Sequence, residues 1–518
     1  EDMHLTFGEL NQCANELAHK LIEMNCGKFV CLYLDRGLET VISILAVMKA
    51  GAAYIPISPD YPANRTQFIL EDTAAKVLLT HGHYFGEFSS CEGLQLVDVE
   101  DDFGSYPSDN LHLDVCVDDF AYVLFTSGTT GRPKGVVATH LNIAHISHHC
   151  NARFFEDVGN VEPTIMGFAS YTFDACVMET MWPLLYGYKL AICTDEERRN
   201  PSMLEDFIRE HGVTFGFLTP KFAESLPLST LQGIRNLLVG GEVTNLTSAL
   251  EIATICDVTN IYGPTECTVY ATCHQFEHGD TINTNIGAPI TNMEAFVVDK
   301  FGHLVPPGVA GELFLGGLGV ATGYWNRPDL TDEKFIDKRF LPEQFGTLYR
   351  TGDLVRWLQN GELEFLGRID QQVKIRGFRI ELGEVENALL TFDGVIQAVA
   401  VATRGTIDAY VVAMDNVVSA QPILTHVAKL LPDYMVPSTV TFIEFVPMTM
   451  NGKVDVRALP AVVDDSSDKI GTPYQPPGTV LELQLCEIWC RILGKKQVGI
   501  NDNFFQLGGT SIDAIKVV

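Results

Sequence analysis

A run of hydroxyls and glycines ending on a lysine, Thr126-Ser127-Gly128-Thr129-Thr130-Gly131-Arg132-Pro133-Lys134-Gly135, has the residue types needed to hold phosphate. Glycines let backbone N–H groups turn toward an anion without Cβ obstruction, hydroxyls add donors, and Lys134 brings a compact positive charge. The apolar residues from Tyr122 to Phe125 just before it read as a strand. Two commoner phosphate motifs are excluded, because neither the G-x-x-x-x-G-K-[ST] spacing nor a G-x-G-x-x-G after a strand occurs here. In an acidic chain, with 35 Lys+Arg against 66 Asp+Glu and a net charge of −31, a phosphorylated ligand needs the few cations concentrated locally. That raises the interest of Lys134, Arg368 and Lys453. The same balance argues against nucleic acid or an anionic membrane as partner.

These residues must be positioned by a large scaffold. At 518 residues the chain has room for several domains, and 46% apolar with 19% charged residues is ordinary globular composition. The first ~120 residues alternate amphipathic helix and apolar strand: Leu10, Leu17, Leu21 and Met24 keep a helical period that stops at Gly27. Phe29 to Leu34 then reads as a buried strand, Leu38 to Ala50 as a helix and Tyr54 to Ser58 as a strand. This alternation predicts an α/β fold with mainly parallel, doubly wound sheets. From about Asn285 short strands separated by Gly and Pro dominate, and after Gly367-Arg368-Ile369-Asp370 a compact α+β stretch runs to Leu459-Pro460. Residues 461–478 have linker composition, and a last helix is expected over Val480 to Leu493. The expected division is a large lobe over 1–369, a small C-terminal lobe over 370–460, the linker, and a partial helical domain over 479–518. No apolar stretch approaches the ~20 residues that span a bilayer. Thirteen cysteines without a C-x-x-C pair, several in apolar runs (Cys31, Cys116, Cys193), read as reduced, buried thiols in a cytoplasmic protein. The start Glu1-Asp2-Met3 suggests an excerpt of a longer polypeptide.

Further motifs follow in a fixed order: Gly51-Ala52-Ala53-Tyr54 with Pro59-Asp60-Tyr61-Pro62, Phe173-Asp174-Ala175, Asn260-Ile261-Tyr262-Gly263-Pro264-Thr265-Glu266, and Gly323-Tyr324 through Lys334-Phe335. Then come Tyr349-Arg350-Thr351-Gly352-Asp353, the run from Gly367 to Glu384, Asn451-Gly452-Lys453 and Leu507-Gly508-Gly509-Thr510-Ser511. Together with the phosphate run, this series resembles the adenylation domain of a nonribosomal peptide synthetase, an adenylate-forming enzyme, followed by the start of its peptidyl carrier domain. The fungal siderophore-synthetase type is one possible subtype.

The resemblance implies an amino-acid substrate whose carboxylate attacks the α-phosphorus of ATP, with Mg²⁺, and whose acyl group then passes to a 4'-phosphopantetheine thiol. It implies that Thr126, Ser127, Gly128, Thr129, Thr130 and Lys134 hold the β/γ phosphates, that Thr265 bonds the α-phosphate and that Glu266 is the metal carboxylate. Asp353 would take the ribose hydroxyls with Arg368 nearby, Tyr262 would stack on adenine with Phe365 on the other face, and Asn260 would pair with the amino edge. Lys453 would bridge substrate carboxylate and phosphate, Asp370 would be the hinge between lobes, and Ser511 would carry the phosphopantetheine. The Gly377 region is expected to reach the cleft for thioester formation once the Lys453 loop withdraws. Alone, Tyr262 and Phe365 read as core aromatics, Arg368 as a surface charge, and Ser511 as a helix cap.

Asp174 would face the substrate ammonium, with Ala175, Met178, Phe217, Leu238, Gly240, Ile261, Val269 and Tyr270 around the side chain. None of these is charged, so a charged side chain would be buried unpaired. A Leu- or Ile-like residue fits; Gly240 leaves open a deeper floor that would admit N-acylated hydroxyornithine. The implied partners are a carrier domain in cis, neighbouring condensation domains and a phosphopantetheinyl transferase. An acyl-CoA synthetase-like ligase remains an alternative that Asp174 and Ser511 oppose, and so does a non-catalytic degenerate domain. His145, His148, His149 and Cys150 lie together but lack an acid to complete a metal site, and read as a polar helix surface. Lys453→Ala is expected to cut adenylation by orders of magnitude with the fold intact; near-normal turnover would remove Lys453 from the chemistry.

Overall fold

Parallel strands need crossovers, and here helices supply them, which is why the βα alternation of the first half becomes two twisted sheets. The computed structural model describes residues 3–128, 132–155, 162–337, 346–370, 372–375, 377–403, 405–414, 419–448, 454–460, 475–495, 497–502, 504 and 517. The first sheet has seven strands in the order Gly323–Tyr324, Lys134–Thr139, Phe120–Thr126, Ala53–Ile57, Phe29–Tyr33, Val77–Thr80 and Gln95–Asp98. It is parallel from Phe120–Thr126 outward, whereas Lys134–Thr139 returns antiparallel, so the phosphate run is the connection of that hairpin.

The second sheet is half parallel and half antiparallel. Strands Lys189–Ile192, Thr164–Gly167, Phe215–Leu218, Asn236–Gly240 and Asp257–Tyr262 run parallel. From Thr272–Gln275 the neighbours run antiparallel through Asn285–Pro289, Leu363–Arg368, Thr347–Trp357, Gly311–Gly317 and Met293–Val298. The β-rich stretch read from the sequence is therefore not a separate layer but the continuation of this sheet. Asp257–Tyr262 sits where the two halves meet, and ligands of open α/β sheets gather at the carboxyl ends of such strands. Gly240 and Tyr262 both stand at such ends.

A smaller unit follows. Hairpin Gln372–Ile375/Phe378–Glu381 leads into helix Leu382–Leu390, and strands Val395–Thr403, Thr406–Ala413 and Thr439–Phe442 form a three-stranded sheet. Its own core holds Ile380, Val385, Leu389, Ile407, Val411, Ile423 and Met435. Helix Val480–Leu493, capped by Thr479 and Glu482, lies beyond it. Among the described residues no helix is long and apolar enough to cross a membrane. Cys31 and Cys193 are buried as expected, but Cys116 is exposed: it lies in an irregular segment rather than in a strand.

One turn brings the two candidate binding regions together. A Cβ on Gly263 would lie 2.4 Å from the Tyr270 Cα and 2.8 Å from the Ala271 nitrogen, backbone atoms that cannot swing away. Glycine is thus required for the turn after Tyr262 to pack on the segment carrying Val269 and Tyr270. Gly263→Ala should destabilise the protein by about 1–3 kcal/mol or more, read as a lowered Tm; an unchanged Tm would contradict this packing.

Candidate functional site

The cleft is built around Glu266, which lies in the short 3-10 turn Thr265–Cys267 after the switch-point strand and is fully buried. Lys134 Nζ stands 3.2 Å from its Oε1, and the Tyr324 hydroxyl donates to the same oxygen at 2.6 Å. Arg379 Nη1 donates to Oε2 at 2.6 Å. Burial by itself would raise this carboxyl, but Arg379 and then Lys134 outweigh it and hold it well below the usual carboxylate range. Burial weakens the Lys134 ammonium while Glu266 strengthens it. With Glu266 ionised at contact distance, the charged lysine is the form that completes the cluster.

Asp174 opens the helix Asp174–Tyr186. Its carboxyl interacts with the Thr265 hydroxyl and the Ala175 N–H, and it lies within Coulombic reach of Lys374 and Glu266. Burial raises its pKa more than these partners lower it. Asp174 and Lys374 are both accessible to solvent yet surrounded by protein, as residues lining a cleft are. Nearby, the Tyr262 hydroxyl donates to Asp353, and Arg368 donates to Asp353 at 2.8 Å while clasping Asp370 through two further bonds at 2.7 and 2.5 Å. Tyr262 and Phe365 have ring centroids 6.3 Å apart, and Asn260 is committed to the Asn285 carbonyl at 2.7 Å.

Ala175, Met178, Leu238, Ile261, Val269 and Tyr270 belong to one buried cluster, with Phe217 packed against it. A Cβ on Gly240 would meet the Ile261 Cγ1 and carbonyl oxygen, each at 2.6 Å, so Ile261 packs directly against this glycine. Thr268 and Val269 both have positive φ, +54° and +72°, and for a β-branched valine that conformation is strained.

The reading of the histidine helix is corrected. His145 and His149 are buried, not on a polar surface: His145 Nε2 donates to the Thr291 carbonyl at 2.6 Å, and His149 Nδ1 meets the Thr291 hydroxyl at 3.2 Å. Burial pushes His149 down to about 4, and its ring packs edge-on against Tyr270 at 5.7 Å. Only His148 of these faces solvent. Among the described residues no group of three His, Cys, Asp or Glu could hold a metal.

Four participants were not singled out from the sequence. Arg379, Lys374 and Tyr324 lay inside runs already noted as motifs, so the signal was present without a role attached. Glu179 had no such signal: fully buried one turn into the helix of Asp174, its Oε2 accepts the Phe168 and Ala169 N–H groups at 2.9 and 2.8 Å, fixing the turn that delivers Asp174. Thr126, Ser127, Gly128 and Lys134 are placed at the cleft, whereas Thr129, Thr130, Lys453 and Ser511 lie outside the described residues.

Burial pushes the Glu179 carboxyl up from 4.5 to about 7. The unfolded chain therefore releases this proton first, and stability should fall as pH rises between those values. Glu179→Gln should flatten that decline in Tm between pH 5 and pH 7.5; an identical pH dependence in both proteins would contradict the assignment.

The family model described as "AMP-binding enzyme" matches residues 1–325, that of "AMP-binding enzyme C-terminal domain" residues 384–453, and that of "Phosphopantetheine attachment site" residues 484–518. The chain is 41% identical over 532 residues to tyrocidine synthase 2 of Brevibacillus parabrevis, spanning all of this chain but 14% of that protein. It is 40% identical to surfactin synthase subunit 3 of Bacillus subtilis (strain 168), covering 99% of this chain and 41% of the relative. Among solved structures it is similar to holo-PA1221, an NRPS protein containing adenylation and PCP domains bound to a vinylsulfonamide inhibitor, with TM-score 0.79, 26% identity, and 98% and 86% of the two chains covered.

Proposed function

This chain belongs to the AMP-binding enzyme family, as an adenylate-forming ligase homologous to nonribosomal peptide synthetases, and on that premise we propose that it activates an amino acid with ATP and passes it to a phosphopantetheine thiol. The observation that carries the reading is the meeting of Asp174, Thr265, Glu266 and Lys134 in one cleft. A zwitterion needs an acid for its nitrogen and cations for the oxygens that react.

The amino-acid carboxylate is already ionised, so no enzyme nucleophile or base is required; positioning and charge neutralisation do the work. A new bond forms between a carboxylate oxygen and the α-phosphorus while the bond to the β-phosphate oxygen breaks, giving adenylate and pyrophosphate. Thr126 to Thr130 and Lys134 hold the departing phosphates, and Thr265 orients the α-phosphate. Tyr262, Phe365 and Asn260 flank the base, with Asp353, braced by Arg368, on the ribose. Lys453 bridges carboxylate and phosphate in this step, Asp370 is the hinge, and Ser511 carries the thiol arm. Glu266 suits Mg²⁺, which takes one or two carboxylates plus phosphate oxygens, and a cationic side chain is already drawn to it here. When bound, the ion neutralises charge developing on the phosphates.

The packing of Ile261 against Gly240 favours a compact apolar substrate such as leucine or isoleucine over N-acylated hydroxyornithine. Domain limits follow as 1–369, 370–460, a linker over 461–478 and a carrier over 479–518, in a cytoplasmic synthetase with condensation domains beside it. A phosphopantetheinyl transferase would load the carrier. Amino-acid-dependent ATP–pyrophosphate exchange should appear with leucine or isoleucine and be weak with phenylalanine and acylated hydroxyornithine. Exchange with fatty acids alone would instead indicate an acyl-CoA ligase. Asp174→Ala leaves a buried ammonium unpaired, about 3–5 kcal/mol, and should weaken amino-acid binding at least ~100-fold in calorimetry. Normal binding would overturn the role of Asp174.

A further inference from the structure

Asn260 is buried and shares a face of strand Asp257–Tyr262 with Tyr262, two residues on. Its side-chain amide has one end fixed. Nδ2 lies 2.7 Å from the Asn285 backbone carbonyl, and because a carbonyl oxygen only accepts, the amide must present its NH₂ group there. The amide oxygen therefore points the other way, where the Thr244 hydroxyl meets it loosely at 3.4 Å and a second lone pair is left over. An acceptor beside Tyr262 and Phe365 suits the amino group of a purine and repels an oxygen in the same position.

The carbonyl that fixes this amide is itself held. Asn285 lies at an irregularity in the pairing of Asn285–Pro289 with Leu363–Arg368, and its side-chain Oδ1 accepts the Gly287 N–H at 2.9 Å. Its Nδ2 donates to Glu362 Oε2 at 2.7 Å, an oxygen that also accepts from Asn360 at 2.7 Å. Glu362 Oε1 lies 2.9 Å from His274 Nδ1, and Asp280 Oδ2 lies 2.9 Å from His274 Nε2. With a carboxylate at each ring nitrogen, both nitrogens donate and the imidazolium is the form that fits. Burial lowers the His274 pKa, but Glu362 and Asp280 outweigh burial and raise it. The Phe365 N–H donates to the Thr284 carbonyl at 2.8 Å, so the ring assigned to the base and Asn285 belong to one piece of sheet.

We infer that Asn285, braced by Glu362 and His274, is a positioning residue that sets the choice of nucleotide: it stops the Asn260 amide from turning over, so the site accepts a 6-amino purine and refuses a 6-oxo one. The inference rests on the reading of Asn260 at the amino edge of adenine and adds to it the cause of the selectivity. A free amide could rotate and offer NH₂ to an oxygen at that edge, which would make the two kinds of purine similar partners. Here rotation would break the bond to Asn285 and set two buried oxygens against each other with no proton between them, which costs free energy.

The test measures Kd by calorimetry on the whole chain with magnesium and three triphosphates. These are ATP, purine riboside triphosphate with hydrogen at position 6, and inosine triphosphate with oxygen there. In the unaltered protein the inosine nucleotide should bind at least ~10-fold more weakly than the unsubstituted purine, because oxygen is repelled where hydrogen is merely unbonded. Asn285→Ala removes the ties to Gly287 and Glu362, and should narrow the gap between ATP and inosine triphosphate about 10-fold. A side chain that only supported the fold would weaken all three nucleotides alike, and an unchanged gap in the variant would overturn the inference. If inosine triphosphate binds the unaltered protein as tightly as the unsubstituted purine, with ATP still tightest, the inference falls and Asn260 stays at the base. Equal binding of all three would overturn both. Should Asn285→Ala fail to fold, the three affinities of the unaltered protein decide alone.

Discussion

The cleft is organised by one buried carboxylate. Glu266 has no exposure to solvent, and a charge so placed is stable only with close, well-directed partners. It has them on both sides: Lys134 and Tyr324 from the first sheet at one oxygen, Arg379 from the small lobe at the other. Each of these side chains must therefore be delivered to the same point by a different element. The hairpin that frames the phosphate run sets Lys134, the edge strand Gly323–Tyr324 sets Tyr324, and the hairpin Gln372–Glu381 sets Arg379. Glu266 itself is placed by the junction between the parallel and antiparallel halves of the second sheet.

One layer away, the same junction carries Asp174 and the apolar cluster beside it. Asp174 begins a helix whose entry turn is tied by Glu179 to the Phe168 and Ala169 N–H groups. The apolar lining comes from strand ends at Leu238 and Ile261 and from the strained turn at Thr268 and Val269. Behind it, His149 and Cys150 back Tyr270, the cysteine sulfur lying 3.4 Å from the tyrosine hydroxyl. A neutral His149 is what such an apolar surround permits.

Much of this was legible in the sequence because the chemistry is concentrated in short runs. The phosphate run, the Tyr262-to-Glu266 turn and Phe173-Asp174-Ala175 each name their residues and order, and βα alternation gives the parallel halves. What could not be read are contacts between distant segments. Arg379 lies 113 residues from Glu266, and only the fold shows that the lobe is turned so that they meet. His145 looked polar because its partner, the Thr291 carbonyl, is 146 residues away. Gly240 reads as space along the chain, and the Ile261 packed against it belongs to the neighbouring strand. Volume and charge balance are properties of neighbours, which spacing along the chain does not supply.

In the proposed reaction this cleft joins a carboxylate oxygen to the α-phosphorus of ATP. Feeding the protein an amino acid whose carboxylate carries a heavy oxygen isotope, and releasing the acyl group to a thiol, asks that question directly by mass spectrometry of the nucleotide. One labelled oxygen should appear in the phosphate of AMP. Label in orthophosphate, or none in any phosphate while substrate is consumed, would contradict the chemistry assigned to the site.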